Sequence, residues 1–330
     1  MAQATVLLTG ATGFIGSHVA EELIRRESAV RCLIRPGRKG LSWVRDLQLD
    51  IVTADLNDRD ALTNALSGIE TVLHVAGVTK AKSKRDFIRG NVDTTRCVLE
   101  AAVRNGVQRF LFVSSLTVTG PSSDGVPLSE DASCLPLTSY GVSKLEAERV
   151  VQSYGDRLGV TILRPPAVYG PRDRDTFEIF RWVSYGIKPL IGAGERTLSM
   201  IHVRDLARAI VTAAFHERTT GQTYFVSDEH PYPFDTLIRL LTDIMKRRTI
   251  TVPIPGPLLY ALAAVVEGVS VVLSRPAILN IEKARDMLQR HWVCDPSRLA
   301  ADTGFRPEVK IAEGLAETYR WYLREGWLRK

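Results

Sequence analysis

Cysteine is scarce in this sequence. The chain of 330 residues has four cysteines, Cys32, Cys97, Cys134 and Cys294, and no two of them have the C-x-x-C spacing of zinc sites and redox motifs. Small secreted proteins that depend on disulfides contain a much higher proportion of cysteine. The sequence therefore predicts reduced thiols in a cytoplasmic protein, and it predicts no metal site.

Stretches typical of nucleic-acid binding or of export are also missing. The formal net charge is +6, but the basic residues are spread along the chain and are not interleaved with aromatic residues. The first residues show no basic segment followed by a long apolar core, so no signal peptide is predicted. There is no repeat of fixed period and no low-complexity tract. Nucleic acid is therefore not an expected partner.

An unbroken apolar run long enough for a membrane span is missing as well. The most apolar segment, residues 257–273, is interrupted by Glu267, Gly268 and Ser270. One interpretation of this segment is a buried helix or a contact between copies of the chain. The other is a patch that touches a bilayer, or an apolar rim where a lipophilic substrate enters. Both interpretations stay open, and the second predicts a membrane-associated cytoplasmic protein.

The composition is otherwise that of a globular protein, with 45% hydrophobic and 24% charged residues. Through the first half, short β-branched runs alternate with helical patterns, which predicts parallel strands with helices on both faces of the sheet. The predicted strands are 4–10, 29–34, 49–54, 71–76, 109–115 and 160–165. After residue 165 the pattern loosens into loops with proline and glycine, a strand-like "TYFVSD" and further helices.

The first predicted strand runs directly into "TGATGFIG" and then into an amphipathic helix. Glycines at positions 10, 13 and 16 suit a turn where the backbone approaches a pyrophosphate, and the following helix offers its N–H groups to the phosphates. We therefore predict a cofactor-binding turn made of Gly10, Gly13, Phe14, Ile15 and Gly16. The fold class is α/β: a doubly wound, Rossmann-type parallel sheet in residues 1–165, with a smaller, mainly substrate-binding lobe in 166–330 that returns in part to the core sheet.

The end of the second predicted strand indicates which dinucleotide is bound. An NAD-binding domain usually carries an acidic residue there for the ribose 2′-hydroxyl, but this chain has Arg35, Arg38 and Lys39. Cations attract a 2′-phosphate, so NADP(H) is favoured, with NAD(H) as the alternative. Asp55, after the third strand, is expected either at the adenine end of the cofactor or as the cap of the next helix.

Tyr140 and Lys144 are four residues apart in a helical pattern, so their side chains share one face. An unperturbed phenol titrates near pH 10, and an adjacent ammonium together with a cationic nicotinamide would favour the phenolate. Ser115 ends the fifth strand at the carboxyl edge of the sheet, where such folds place ligands. Ser114 and Thr117 are alternatives for the hydroxyl at that edge.

These motifs together resemble the extended short-chain dehydrogenase/reductase family. The resemblance rests on "TGATGFIG" (9–16), "DL" (55–56), "HVAG" (74–77), "NVDTT" (91–95), "FVSS" (112–115), "YGVSK" (140–144) and "RPPAVYGPRD" (164–173). It implies that Tyr140 is the general acid/base, that Lys144 binds the nicotinamide ribose, and that Ser115 orients the reacting carbonyl. It further implies a homodimer, and cofactor contacts from Asp55, Leu56, Ala76, Gly77, Asn91, Tyr140, Lys144 and Pro165, although Asn91 is equally well interpreted as a polar helical residue.

The family contains sugar-nucleotide epimerases and dehydratases as well as reductases. The first group typically has an asparagine where this chain has Ala167, and an arginine-aspartate-tyrosine triplet ahead of the pair that matches Ile201 and His202. Both departures remove groups that grip a sugar nucleotide. The chain is more similar to the 3β-hydroxysteroid dehydrogenase and dihydroflavonol reductase branch, which implies hydride transfer between the cofactor and an alcohol or ketone of an apolar small molecule. A nucleotide-sugar epimerase/dehydratase and a non-catalytic cofactor-binding scaffold are the alternatives.

Three minor expectations concern His202, Asp205 and residues 172–175. His202 more often anchors a lobe by a hydrogen bond than reacts with substrate. Asp205 is expected to be a helix N-cap. The run Arg172-Asp173-Arg174-Asp175 is expected to be a solvated loop.

Overall fold

The computed structural model describes residues 5–37, 43–192, 194–272 and 279–329. Its strands are β1 (Val6–Thr9), β2 (Val30–Ile34), β3 (Asp50–Thr53), β4 (Thr71–His74), β5 (Arg109–Val113), β6 (Gly159–Arg164), β7 (Ala167–Tyr169), β8 (Ile187–Ile191), β9 (Thr197–Leu198), β10 (Met200–His202), β11 (Thr223–Phe225), β12 (Tyr232–Pro233), β13 (Ile250–Ile254) and β14 (His291–Trp292). The helices are α1 (Phe14–Arg25), α2 (Arg59–Ala65), α3 (Lys84–Phe87), α4 (Thr94–Arg104), α5 (Ser139–Gln152), α6 (Phe177–Ser184), α7 (Val203–Phe215), α8 (Phe234–Met245), α9 (Gly256–Val272), α10 (Ile281–Met287), α11 (Ser297–Thr303) and α12 (Ile311–Arg324).

The predicted doubly wound sheet is confirmed. Seven parallel strands lie in the order β11, β6, β5, β4, β1, β2, β3. All four residues of β1 are buried, as expected for a strand covered by helices on both faces. The sequence patterns place the strand ends within one or two residues. The strand order reverses between β1 and β4, which is where sheets of this kind bind their ligands.

Two apolar layers cover the sheet. On one face, Val19 of α1 and Ile210 of α7 join Leu8 of β1 in a buried cluster, and on the other, Leu99 of α4 joins Leu7 of β1. The helix α7 and the strand β11 come from the second half of the chain, and they are the returns to the core sheet that the sequence predicts. The division into residues 1–165 and 166–330 itself stays a prediction.

The lobe has its own core. Helices α6, α8 and α12 bury an aromatic cluster in which the rings of Phe177, Phe180 and Trp327 pack around Tyr322 at centroid distances of 5.1 to 5.6 Å. Edge-to-face and offset pairs of this kind add to the burial of apolar area. Short sheets lie outside the large one, formed by β12, β9 and β14, by β13 and β8, and by β10 and β7.

The apolar segment 257–273 forms most of α9. Leu259 and Ala263 pack against α10, whereas most of the other α9 side chains up to Ser270 are exposed. The buried-helix interpretation is therefore wrong for this chain by itself, while Leu273 lies outside the described residues. None of the helices in the described ranges combines the length and the hydrophobicity required to cross a membrane.

Candidate active site

The glycine turn between β1 and α1 is too tight for side chains at two of its three glycines. Gly10 has a φ of +81°, and a Cβ there would lie 2.8 Å from the backbone nitrogen of Ala76. A Cβ on Gly16 would lie 2.1 Å from the carbonyl oxygen of Gly10. Gly13 is the N-cap of α1, and its Cβ would meet the same oxygen only at 3.2 Å. The turn and the backbone of Phe14 and Ile15 form a cradle at a helix N-terminus that fits a dinucleotide pyrophosphate.

The next two strands end in opposite charges. Arg35 follows β2 directly and is exposed. Asp55 follows β3, and its pKa is lowered mainly by the hydrogen bonds that it accepts from Asn57 at 2.8 and 2.9 Å. The charge of Arg35 lowers the pKa of Asp55 further. The cap of α2 is Asp58, which accepts the N–H of Ala61 at 3.0 Å, so the helix-cap alternative for Asp55 is wrong. Arg38 and Lys39 lie outside the described residues.

Asn91 forms hydrogen bonds to the loop that follows β4. It lies in a π-helical turn, Ile88–Asp93, a feature that is frequent at functional sites. Its Oδ1 accepts the N–H of Val78 at 2.7 Å, and its Nδ2 donates to the carbonyl oxygen of Val78 at 3.0 Å and to Ser143 Oγ at 2.9 Å. Asn91 therefore holds the loop of Ala76 and Gly77 against α5, beside the glycine turn.

A buried polar chain that the sequence reasoning missed supports this loop. His74 lies between Thr9 Oγ1, 2.8 Å from its Nδ1, and Thr95 Oγ1, 3.0 Å from its Nε2. Thr9 Oγ1 also accepts the N–H of Ala76 at 3.2 Å. Burial lowers the pKa of His74 to about 3, so the ring is neutral at physiological pH. Its only signal in the sequence is a histidine inside an otherwise apolar strand.

Helix α5 presents Tyr140 in its first turn. Thr138 caps the helix by accepting the N–H of Gly141 at 3.1 Å. A Cβ on Gly141 would lie 2.8 Å from the carbonyl oxygen of Thr117, so glycine is what lets α5 approach the loop after β5. The ring of Phe87 packs against Tyr140 with centroids 6.1 Å apart. These contacts bring the phenol to Ser115, whose hydroxyl is near enough to affect its pKa.

The three hydroxyls after β5 have different places. Ser115 Oγ accepts hydrogen bonds from the N–H of Thr117 at 3.2 Å and from the Thr117 hydroxyl at 3.0 Å, so these two side chains form a pair after the carboxyl end of β5. Ser114 is buried, and its hydroxyl has no partner among the described residues. Pro165, at the end of β6, accepts the N–H of Leu116 at 2.9 Å and fixes the same loop.

The protein groups shift the two key pKa values in a direction that the sequence did not predict. Burial of its hydroxyl raises the pKa of Tyr140 to about 12, against the lowering effect of Ser115. Burial also lowers the pKa of Lys144 to about 7. The Lys144 ammonium donates to the carbonyl oxygen of Val113 at 2.7 Å and lies 4.0 Å from the centre of the Phe112 ring. The sequence-based expectation joined the Lys144 ammonium with a cationic nicotinamide, and it stays a prediction for the complex with the cofactor.

Glu282 is a further residue that the sequence reasoning missed. From α10, its carboxylate accepts the backbone N–H of Ser139 at 2.8 Å and the Ser139 hydroxyl at 2.7 Å. Ser139 immediately precedes Tyr140, so a lobe helix is attached to the N-terminus of the helix that carries the phenol. The contact spans 143 positions in sequence and had no local signal.

The three minor expectations have mixed outcomes. His202 is fully buried, its Nδ1 accepts the N–H of Arg204 at 3.4 Å, and burial lowers its pKa to about 3, which fits an anchor. Asp205 is not the cap of α7, because His202 holds that position, and it accepts the backbone N–H groups of residues 308 and 309 instead. Arg172 and Asp173 are not solvated: Arg172 donates to Ser17 and Glu21 on α1, and Asp173 is buried under α12.

The chain matches known proteins along nearly its whole length. The model of the NAD dependent epimerase/dehydratase family matches residues 6–227. The ceramide reductase of Caulobacter vibrioides is 31% identical, with 100% of this chain and 98% of that protein covered. The 3 beta-hydroxysteroid dehydrogenase/Delta 5→4-isomerase of Mycobacterium tuberculosis is 27% identical, with 96% and 90% covered. The structure of MoeE5 in complex with UDP-glucose and NAD has a TM-score of 0.79 and 27% identity, with 98% of this chain and 99% of that chain covered.

Proposed function

This chain belongs to the NAD dependent epimerase/dehydratase family, and we propose that it transfers hydride between NADP(H) and an alcohol or ketone of a hydrophobic substrate, either long-chain or sterol-like. Members of this family are enzymes, and the relatives named above include dehydrogenases and reductases. Two of those relatives are named for lipids, a ceramide and a steroid. Both align with this chain over almost all of its length, so the substrate lobe is included in the likeness.

The observation that carries the proposal concerns two positions where sugar-nucleotide enzymes of the family have polar side chains. This chain does not have those side chains there. Ala167 is exposed at the start of β7, where sugar-nucleotide enzymes of the family have an asparagine. Ahead of Ile201 and His202, the family's polar triplet is replaced by Leu198, Ser199 and Met200, of which Ser199 and Met200 are buried. An apolar substrate loses nothing at such a surface, whereas a diphosphate would lose hydrogen bonds.

The chain's own residues suffice to hold the substrate oxygen and move a proton. Ser115 donates to the carbonyl oxygen of a ketone, and the Tyr140 phenol delivers its proton to that oxygen as the alcohol forms. The raised pKa of Tyr140 keeps the phenol protonated, as this direction of reaction requires. The nicotinamide, when bound, supplies the hydride. Lys144 would hold its ribose and keep a cation beside the phenol, which favours the phenolate once the proton has left.

Cofactor choice rests on Arg35 at the end of β2. An exposed guanidinium there can pair with a 2′-phosphate in bidentate geometry. In Arg35→Ser, we expect the kcat/KM ratio of NADPH over NADH to fall severalfold to about tenfold, since an exposed ion pair is worth up to about 1 kcal/mol and a hydrogen bond to a charged group about 1.5 to 3 kcal/mol. Arg31→Ser is the matched control, since Arg31 lies in β2, four residues before Arg35, but pairs with Asp50. An unchanged ratio in Arg35→Ser would show that Arg35 does not select the cofactor.

Substrate class is tested by NADPH oxidation against a panel of long-chain and steroidal ketones, with UDP-glucose and related sugar nucleotides in parallel. We expect turnover on apolar ketones only. Turnover or tight binding of sugar nucleotides alone would establish the epimerase/dehydratase alternative. Cofactor binding without turnover on any member of a broad panel would favour a scaffold. The resemblance also leads us to propose a homodimer through α5 and neighbouring helices, which light scattering would reveal as twice the chain mass.

A further inference from the structure

Helix α9 is apolar around most of its circumference. Its sequence, "GPLLYALAAVVEGVSVV", contains one charged residue, Glu267, whose carboxylate accepts the N–H of Ile281 at the start of α10. A narrow stripe with Leu259 and Ala263 packs on α10. Other apolar side chains of α9 are open to solvent: Val265 is 65% exposed and Val269 is 53% exposed. An apolar helix with this many exposed side chains indicates a surface that is covered when the protein functions.

Cations and aromatic residues lie next to the strand that leads into α9. Lys246, Arg247 and Arg248 are all exposed, and within the described ranges none of them forms an ion pair. They precede β13, whose Ile250 is 76% exposed and donates its N–H to the carbonyl oxygen of Gly186 at 2.8 Å. Tyr185, beside that bond, is 73% exposed. Basic and aromatic side chains at the edge of an apolar surface are typical of segments that lie at a lipid headgroup layer.

The apolar helix is also connected to the active site. α9 packs on α10, and Glu282 of α10 binds the backbone N–H and the hydroxyl of Ser139, the residue before Tyr140. One helix, α10, therefore contacts both α9 and the N-terminus of the helix that carries the phenol. The same surface would serve a lipid substrate without exposing its chains to water.

We propose that α9, together with the exposed strand β13, docks this enzyme on the surface of an anionic lipid bilayer. Anionic lipid attracts the cations of Lys246–Arg248 beside this surface, whereas a second copy of the chain would bring the same positive charges. The delivery of a lipid substrate rests on the proposed function, but the docking itself does not.

The test is binding to vesicles of phosphatidylcholine alone and of phosphatidylcholine with phosphatidylserine, measured by co-sedimentation without substrate. We expect binding to the anionic vesicles that weakens with salt. In Val265→Glu/Val269→Glu, each carboxylate has to leave the headgroup layer or carry its hydration into it, so we expect the partition coefficient to fall at least about tenfold. Val126→Glu is the matched control, since Val126 is a valine of 61% exposure far from α9 in sequence, and its variant should bind like the parent.

Three further measurements make the outcomes decisive. Replacement of Lys246, Arg247 and Arg248 by serine should remove the preference for anionic vesicles while leaving α9 intact. Turnover of a short, water-soluble ketone should be the same in all these variants, which separates a failure of docking from a failure of the proposed chemistry. If the parent protein ignores vesicles, and Val265→Glu/Val269→Glu converts an oligomer to a monomer in light scattering, α9 is a contact between copies and the docking proposal is wrong.

Discussion

At the residue scale, the chemistry depends on how Tyr140 and Lys144 are buried. Burial raises the pKa of the Tyr140 phenol to about 12 and lowers that of the Lys144 ammonium to about 7. A protonated phenol is suited to donate to a ketone oxygen, and a lysine with a pKa of about 7 is only partly charged at neutral pH until a nearby anion, such as the phenolate, favours its ammonium form. The active site is therefore arranged for proton donation, and the cofactor completes its electrostatics.

Replacement of Tyr140 by phenylalanine tests this role. We expect kcat to fall by roughly 10² to 10⁴, the usual contribution of a positioned general acid, while the dissociation constant for NADPH changes less than about threefold. Fluorescence titration of NADPH and steady-state turnover measure the two quantities. Tyr154→Phe, at a buried tyrosine beyond the end of α5, is the control and should retain full activity. Activity that survives in Tyr140→Phe would rule out the acid/base role.

The sequence predicted the residues whose spacing is local and missed those that act across the chain. Gly10, Gly13 and Gly16 follow one strand, and Tyr140 and Lys144 share one turn, so each group is visible as a short pattern. Glu282 reaches Ser139 only because the lobe folds over α5, and His74 meets Thr9 and Thr95 only because β1, β4 and α4 are neighbours. Such contacts are a product of tertiary packing and leave no periodic signal.

At the scale of elements, the turn between β1 and α1 separates two roles of glycine. Gly16 has no room for a Cβ, whereas a Cβ at Gly13 meets one oxygen at 3.2 Å, a contact that a small shift relieves. Gly13→Ala should therefore fold with nearly normal stability but bind NADPH far more weakly, because glycines in such a turn allow the backbone to approach the pyrophosphate closely.

Gly16→Ala is the matched comparison. We expect it to lose on the order of 3 kcal/mol of unfolding free energy, as for other disruptive backbone changes, before cofactor binding is considered. Urea unfolding and NADPH titration of both variants distinguish the two effects. Equal destabilisation by both substitutions would contradict this division of roles.

The link between α10 and α5 leads to another prediction at this scale. Glu282→Ala removes both acceptors of Ser139, so the first turn of α5 loses a partner for its backbone N–H. We expect kcat to fall about tenfold with little change in NADPH affinity, while Glu282→Gln, which keeps one acceptor, should recover most of the activity. Lys283→Ala is the neighbouring control. A normal kcat in Glu282→Ala would show that Tyr140 is held without this contact.

At the scale of the whole molecule, a buried carboxyl makes stability depend on pH. Burial raises the pKa of Asp228 from 3.8 to about 7, against a hydrogen bond from Tyr232 at 3.0 Å. Between these two values the folded state binds more protons than the unfolded state, so the free energy of unfolding falls as pH rises from about 4 to about 7. The shift corresponds to at most roughly 4 kcal/mol.

Asp228→Asn should remove this dependence. We expect the variant to gain about 1 to 3 kcal/mol over the parent at pH 8, and to gain clearly less at pH 5, where the folded parent carboxyl is still neutral and only part of the loss of stability has occurred. Urea unfolding at the two pH values measures the difference, with Glu229→Gln at the exposed neighbour as control. An identical difference between pH 5 and pH 8 in parent and variant would show that Asp228 is not the group responsible.

The sequence predicted the large sheet better than the lobe. Strands β1 to β6 are each a compact apolar run, and covering both faces of the sheet makes those runs easy to recognise. The lobe strands have two to five residues, and their pairing depends on loops that no local pattern specifies. Helix α9 is a similar case. Its sequence shows that it is apolar, but does not show that most of its side chains are exposed.

The seventh strand has a consequence for how the chain reaches its native state. β11 pairs with β6 from about sixty residues downstream, and α7 of the same segment covers α1. When only the first 165 residues have emerged from the ribosome, the sheet therefore has an unpaired edge at β6, and the apolar face of α1 is not yet covered. The dinucleotide half cannot be expected to mature on its own during synthesis, and a truncation at residue 165 should aggregate, because an unpaired strand edge recruits other chains.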